Sequence, residues 1–366
     1  MGTVPPSLQA PPAEHFCQLA KDILEGRVTF FLGAGANLCD RPTQEQQQAQ
    51  SPEHRWTERD QVFLPSGGEL AGFLAGRVVP NPSGDLLKVA QVIETRLGTG
   101  RLYQELQQLF RRDYPPTSLH RFLAALVSRP APKACEPARP YPLVVTTNYD
   151  DLMEKALGGN QFDLIFYVPF STGDPARLRT GSEVGFYHQA PDGEPRKIDP
   201  DNKDAPWIHL FEQRPVILKI HGAVQKGPQA GRGPEEEDIR EALEGFVISE
   251  DHYIDYLARQ PLETQLPPSV MRRLRRTHLL FLGYSLADWN LRAFLHMIHQ
   301  DPRSKFSGYA VLLKADAYEA KFWSDKGIQL YPVPLCNYVA QLEAALQAAG
   351  SETKDEGPAT AAGSPS

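Results

Sequence analysis

Close cysteine pairs are what this 366-residue chain most plainly lacks. Its four cysteines stand at 17, 39, 135 and 336, so no Cys-x-x-Cys exists and the paired-cysteine zinc sites are excluded. No metal is expected. Scattered thiols and an N-terminus without a signal-peptide core predict a cytoplasmic setting. No apolar run is long enough to span a membrane, and the best, Leu279 to Ala287, is closed in by Arg276 and Asp288. An N-myristoylation signal fails at Pro6, where Ser or Thr is wanted. Positive charge is also short. Lys plus Arg number 38 against 45 Asp plus Glu, a net −7, which argues against direct nucleic-acid binding. The G-x-S-x-G, H-E-x-x-H and G-x-x-x-x-G-K-[ST] signatures are absent, which removes three familiar hydrolase and phosphate-loop chemistries.

What is present is enough apolar content, 41%, for a large core, with Pro 33 and Gly 28 pointing to long irregular segments. Residues 1–13 are Pro-rich and 350–366 lack Leu, Ile, Val and Phe, so both are expected to be disordered. The stretches 185–206 and 222–238 read as loops. Seven short runs read as strands: 27–32, 142–146, 162–168, 215–220, 277–283, 308–313 and 328–333. Most are continuously apolar, as strands are when both sheet faces are covered. Helical patterns alternate with them, which argues an α/β fold with a Rossmann-like, doubly wound parallel sheet over residues 14–349. Helices in series over about 64–128 predict a smaller helical module inserted after the first strand.

Four of those strands run straight into small or polar residues. Phe31-Leu32 leads to Gly33-Ala34-Gly35-Ala36-Asn37, whose glycines permit a tight turn and close approach of backbone N–H groups to a diphosphate. Val145-Thr146 leads to Thr147-Asn148-Tyr149-Asp150. Asn148 could orient a water or a ribose hydroxyl, although Asn and Asp are also favoured helix caps. Lys219-Ile220 leads to His221-Gly222, and a histidine at a strand end suits acid–base work. Leu282 leads to Gly283-Tyr284-Ser285, with Ser285 and Asp288 at capping-box spacing. His296 and His299 read as surface or interface residues, and the run Arg272 to Arg276 as a solvated helix face.

Taken in order, Gly-Ala-Gly, Thr-x-Asn-x-Asp, His-Gly and Gly-x-Ser resemble the sirtuin family. The match is closer to the zinc-less sirtuin-like domains of bacterial anti-phage defence systems. Leu64-Pro65-Ser66-Gly67-Gly68-Glu69-Leu70 and Val247-Ile248-Ser249-Glu250-Asp251-His252-Tyr253 look like segments of that branch, with 40–62 inserted before the first. The resemblance implies NAD⁺ as substrate in a cleft between sheet and helical module. It implies Asn148 and His221 as catalytic residues, positioning water or ribose and acting as base. Gly33, Ala34, Gly35 and Asn37 would cradle the diphosphate, and Gly283, Tyr284 and Ser285 the adenosine side. Thr147 and Asp150 complete the pocket, Asp150 toward the nicotinamide riboside end.

The expected activity is NAD⁺ glycohydrolysis to nicotinamide and ADP-ribose by a toxic effector of abortive infection. The expected assembly is a homo-oligomer, with a HerA-like hexameric ATPase or a short Argonaute as candidate activating partner. A sirtuin-type protein deacylase or ADP-ribosyltransferase is the first alternative, and a non-catalytic NAD-binding sensor or scaffold the second.

Overall fold

The structure, a computed structural model, describes residues 9–41, 56, 63–76, 85–128, 140–158, 161–169, 183–191, 193–202, 204–225, 242–258, 261, 264–284, 289–298 and 308–355. Four neighbouring strands are built almost wholly from buried apolar residues: β1 (Val28–Leu32), β2 (Leu143–Thr146), β6 (Val216–Lys219) and β9 (His278–Leu282). With β3 (Asp163–Val168), β4 (Gly185–Gln189), β5 (Arg196–Lys197), β10 (Gly308–Leu312) and β11 (Ile328–Pro332) they form one nine-stranded sheet. Its order is β11-β10-β9-β1-β2-β6-β3-β4-β5. All pairs from β11 to β3 are parallel, and β4 and β5 are antiparallel additions at one edge. The fold is therefore α/β and Rossmann-like, with all seven expected strands present. Strand order reverses beside β1: the chain first builds outward through β2, then returns to add β9, β10 and β11 on the other side.

Side chains alternate between the faces. Phe31, Val145, Leu218 and Phe281 enter one core, beneath α7 (Glu250–Ala258), α8 (Pro268–Arg276), α9 (Trp289–Ile298) and α10 (Ala317–Asp325). Phe30, Val144, Ile217 and Leu280 enter the other, beneath α1 (Ala13–Leu24), α5 (Ser118–Val127), α6 (Leu152–Leu157) and α11 (Leu335–Asp355). Helices α2 (Gly67–Ala75), α3 (Leu86–Leu97) and α4 (Thr99–Phe110) share a third core. That core reaches the sheet domain at Leu152, Val224, Phe246 and Ile248. Helix α5, the last of the series, packs with the sheet and not with α2–α4.

Three loop readings need correction. Residues 185–206 contain β4 and β5, and Gly222–Ala223 (β7), the start of the expected loop 222–238, pairs with Gly245–Phe246 (β8), while 226–238 lie outside the described residues. The disorder expected from 350 is corrected over 350–355, which α11 covers as far as Asp355; residues 356–366 lie outside the described residues, as do 1–8, 42–55 and 57–62. Among the described residues no helix is long and apolar enough to cross a membrane.

Candidate active site

Parallel strands place their carboxyl ends on one sheet edge, and β9, β1, β2 and β6 are consecutive neighbours. Leu32 lies beside both Leu282 and Thr146, and Thr146 beside Lys219. The four motifs, spread over 250 residues of chain, thus meet side by side at the strand-order reversal, where open α/β sheets bind ligands.

The glycine loop is a clamp. Gly33 N–H donates to Leu282 O at 3.1 Å, and Gly35 N–H to Gly283 O at 2.9 Å. A Cβ on Gly33 or Gly35 would lie 2.6 or 2.7 Å from Gly283 O. Gly283 itself has φ +71°. The glycines let two loops pack backbone to backbone, and the N–H groups of Gly33 and Gly35 are already used. Ala34 is the exposed residue of the turn. A short 3₁₀ helix, Ala34–Leu38, follows and buries Asn37.

The second motif closes over this turn. Asn148 donates from Nδ2 to Gly33 O at 3.2 Å, and its N–H donates to Thr146 Oγ1 at 3.0 Å. Thr147 and Asn148 are half-buried. Asp150 is buried; its Oδ2 accepts from Asn37 Nδ2 at 2.8 Å and its Oδ1 from Leu152 N–H at 3.1 Å. Asp150 therefore holds the first N–H of α6 and the Asn37 amide together. Asn37 Oδ1 is buried and has no hydrogen-bond partner among the described residues. That leaves an acceptor, beside the Asp150 carboxylate, for a ligand amide or hydroxyl to satisfy.

His221 follows β6 and is 2% exposed. Its carbonyl accepts from Val247 N–H at 2.9 Å. Gly222 has φ +97°, and a Cβ there would collide with the Gly245 carbonyl, so only glycine closes this turn. Two rings of α7 stand edge-on to the imidazole: Tyr253 at 5.3 Å and Tyr256 at 5.9 Å. Tyr253 Oη reaches His221 Nδ1 at 3.5 Å. Burial, reinforced by Tyr167 and Tyr284, drives the Tyr256 phenol pKa upward, so it stays protonated. Tyr284 is buried against Phe281 and Phe31, at ring distances of 5.9 and 6.5 Å. Ser285 and Asp288 lie outside the described residues.

Reading by strand ends missed three contributors. Lys219, 1% exposed, pairs with Glu154 Oε1 at 2.5 Å and donates to the Asp150 carbonyl. Burial pushes Glu154 upward against the pull of that ammonium. His120 of α5 is buried beside the loop, where Thr117 donates its N–H to His120 Nδ1 at 3.3 Å and its hydroxyl to Ala36 O at 3.1 Å. Burial lowers the His120 pKa, opposed by the nearby Asp150 and Asp40 carboxylates. The tyrosine pair of α7 is the third. A lysine inside an apolar strand run was a usable signal, since buried lysines are almost always paired. His120 and the tyrosines carried none.

His296 is exposed, and His299 lies outside the described residues. Among the described residues no cluster of three metal-type side chains occurs. No curated protein matches the chain at a significant level. A family model described as a SIR2-like domain matches residues 142–331, a span that runs from β2 to β11 and holds Asn148, Asp150, His221 and Gly283. It covers just over half of the 366 residues, and on that match, with the parallel sheet and its four converging loops, the chain belongs to the SIR2-like domain family.

Proposed function

We propose that the protein is an NAD⁺ glycohydrolase, releasing nicotinamide and ADP-ribose, and that it serves as a toxic effector in anti-phage defence. The observation that carries this reading is the convergence of Asn148 and His221 on adjacent strand ends, next to a glycine turn and a buried Asn37–Asp150 pair. NAD⁺ supplies a bond to a cationic nitrogen, whose departure needs no strong acid. The protein must therefore bind, orient and deliver water.

Each residue has a task on that reading. Ala34, at the exposed corner of the turn, faces the diphosphate, while Gly33, Gly35 and Gly283 hold the two loops in contact. Asn37 Oδ1 and the Asp150 carboxylate accept from the carboxamide or ribose hydroxyls at the nicotinamide end. Asn148 orients the ribose or the attacking water, and His221 accepts the proton as general base. Tyr284 borders the adenosine side and Thr147 completes the pocket; Ser285, outside the described residues, is assigned to the adenosine side by the resemblance alone. A cytoplasmic location, a homo-oligomer and an activating partner such as a HerA-like ATPase or a short Argonaute belong to the same proposal.

The test is chromatographic. NAD⁺ is incubated with wild type, Asn148→Ala and His221→Ala, with and without an acetyl-lysine peptide. Nicotinamide and ADP-ribose from wild type alone, independent of peptide, is the expected result. Release only with peptide would make the chain a deacylase. Binding without release, also with candidate partners present, would make it a sensor.

A further inference from the structure

Two cysteines 297 residues apart in sequence meet at the exit of the glycine loop. Cys336 Sγ donates to Cys39 O at 3.3 Å. Cys336 stands on the first turn of α11 and is exposed; Cys39 directly follows the 3₁₀ helix that carries Asn37 and is half-buried. Cys17, the other described cysteine, is on α1.

We propose that Cys39 and Cys336 form a thiol-oxidation site, which a peroxide converts to a disulfide that fixes the exit of the glycine loop to α11. The chemistry balances in two steps. The exposed Cys336 thiol and hydrogen peroxide give the Cys336 sulfenic acid and water. The Cys39 thiol then attacks that sulfur, the S–O bond breaks, the S–S bond forms, and a second water leaves. Two electrons pass from the thiols to the peroxide. Accessibility assigns the roles: Cys336 meets the oxidant, and the half-buried Cys39 resolves. Burial and the neighbouring Cys336 push the Cys39 thiol up to about 12, so Cys39 is not the sulfur that first meets the oxidant.

The consequence lies in what the segment after Cys39 already holds. Asp40 accepts from the Ser118 N–H at 2.7 Å, at the start of α5, and Arg41 grips Glu69 of α2 at 2.8 and 2.9 Å. A covalent link to α11 adds a third anchor to the same few residues. The loop that carries Asn37 is then tied to α2, α5 and α11 together.

The experiment treats purified full-length protein with one equivalent of hydrogen peroxide, followed by non-reducing digestion and mass mapping. The expected result is a peptide joining Cys39 to Cys336 that dithiothreitol splits. Amide exchange over residues 33–41 slows severalfold, and the melting temperature rises by about 4–8 °C. Cys336→Ser abolishes all three changes, and a Cys17→Ser/Cys135→Ser double variant keeps them. The proposal is overturned if Cys336 ends as sulfinic acid with Cys39 reduced, or if the link joins Cys17 or Cys135. None of these readouts requires NAD⁺ turnover, so the proposal stands or falls apart from the activity above.

Discussion

Replacing Gly283 by alanine should damage the protein more than replacing Gly158, although the two glycines have almost the same φ, +71° and +69°. An alanine Cβ pays about 1–2 kcal/mol in this left-handed region at either position. At Gly158 nothing lies within 4 Å of the added Cβ. At Gly283 the Cβ would lie 2.6 Å from Gly35 C and 2.9 Å from Gly35 Cα, and against Ala36 N. Backbone cannot turn away as a flexible side chain can. The two loops must part, at about 1–3 kcal/mol, the usual cost of overpacking. The Gly35 N–H to Gly283 O bond weakens with that movement. In a chain of this size each kcal/mol moves the melting temperature by about 2 °C. Gly158→Ala should therefore lower it by about 2–4 °C and Gly283→Ala by about 4–10 °C, read by thermal denaturation. Amide exchange at Gly33 and Gly35 should accelerate in the second variant alone. Equal melting shifts would refute the clamp.

Lys219→Met leaves Glu154 buried and unpaired, so it should cost about 3–5 kcal/mol, and Lys219→Met/Glu154→Leu should recover more than half of that in denaturant titrations. A double variant no better than the single would show that the ammonium's bond to the Asp150 carbonyl matters more than the ion pair. Asp150→Asn sets an amide N–H₂ against Asn37 Nδ2 while Leu152 N–H keeps its acceptor, an expected loss of about 1–3 kcal/mol. Exchanging the pair, Asn37→Asp with Asp150→Asn, should restore stability, and failure to do so would remove the hydrogen bond as the cause. His15 is buried among Tyr309, Tyr331 and Tyr338, and burial lowers its pKa from 6.5 to about 4. Between those values the unfolded chain binds the proton that the folded one refuses, so stability falls as pH drops from 6.5 toward 4. A His15→Phe variant should show a shallower fall over that window in melting experiments; an unchanged slope would move the effect elsewhere.

The central strands were legible because burial on both faces leaves a local mark. Val144-Val145 and Val216-Ile217-Leu218 are apolar without alternation, as short strands covered on both faces are. The edge carries no such mark. Strand β4 mixes Gly185, His188 and Gln189 with two aromatics, and β5 is the exposed pair Arg196–Lys197. Both exist because β3 offers an open edge, which is a property of the assembled sheet. The same division holds in the site. That Asn148 and His221 follow strand ends could be read because a strand end is a local event. Lys219 meets the Asp150 carbonyl 69 positions away, His120 feels the Asp150 carboxylate across 30 and Tyr253 reaches His221 across 32, and contacts over such distances are decided by packing.

The glycines changed meaning most between sequence and structure, and the reason is hydrogen-bond capacity. A Gly-x-Gly turn after a strand offers N–H groups, and its sequence is silent on whether they are free. Here two of them are spent on Leu282 and Gly283 carbonyls, so their work is to bring β1 and β9 loops within backbone contact. The unspent capacity is one step further along: Asn37 Oδ1, buried, facing no donor among the described residues, and held in place by Asp150. A folded chain seldom leaves a buried acceptor empty without a use for it. On the proposed reading a ligand donor is taken up at the Asn37–Asp150 pair, with the glycine turn as the frame that sets its position.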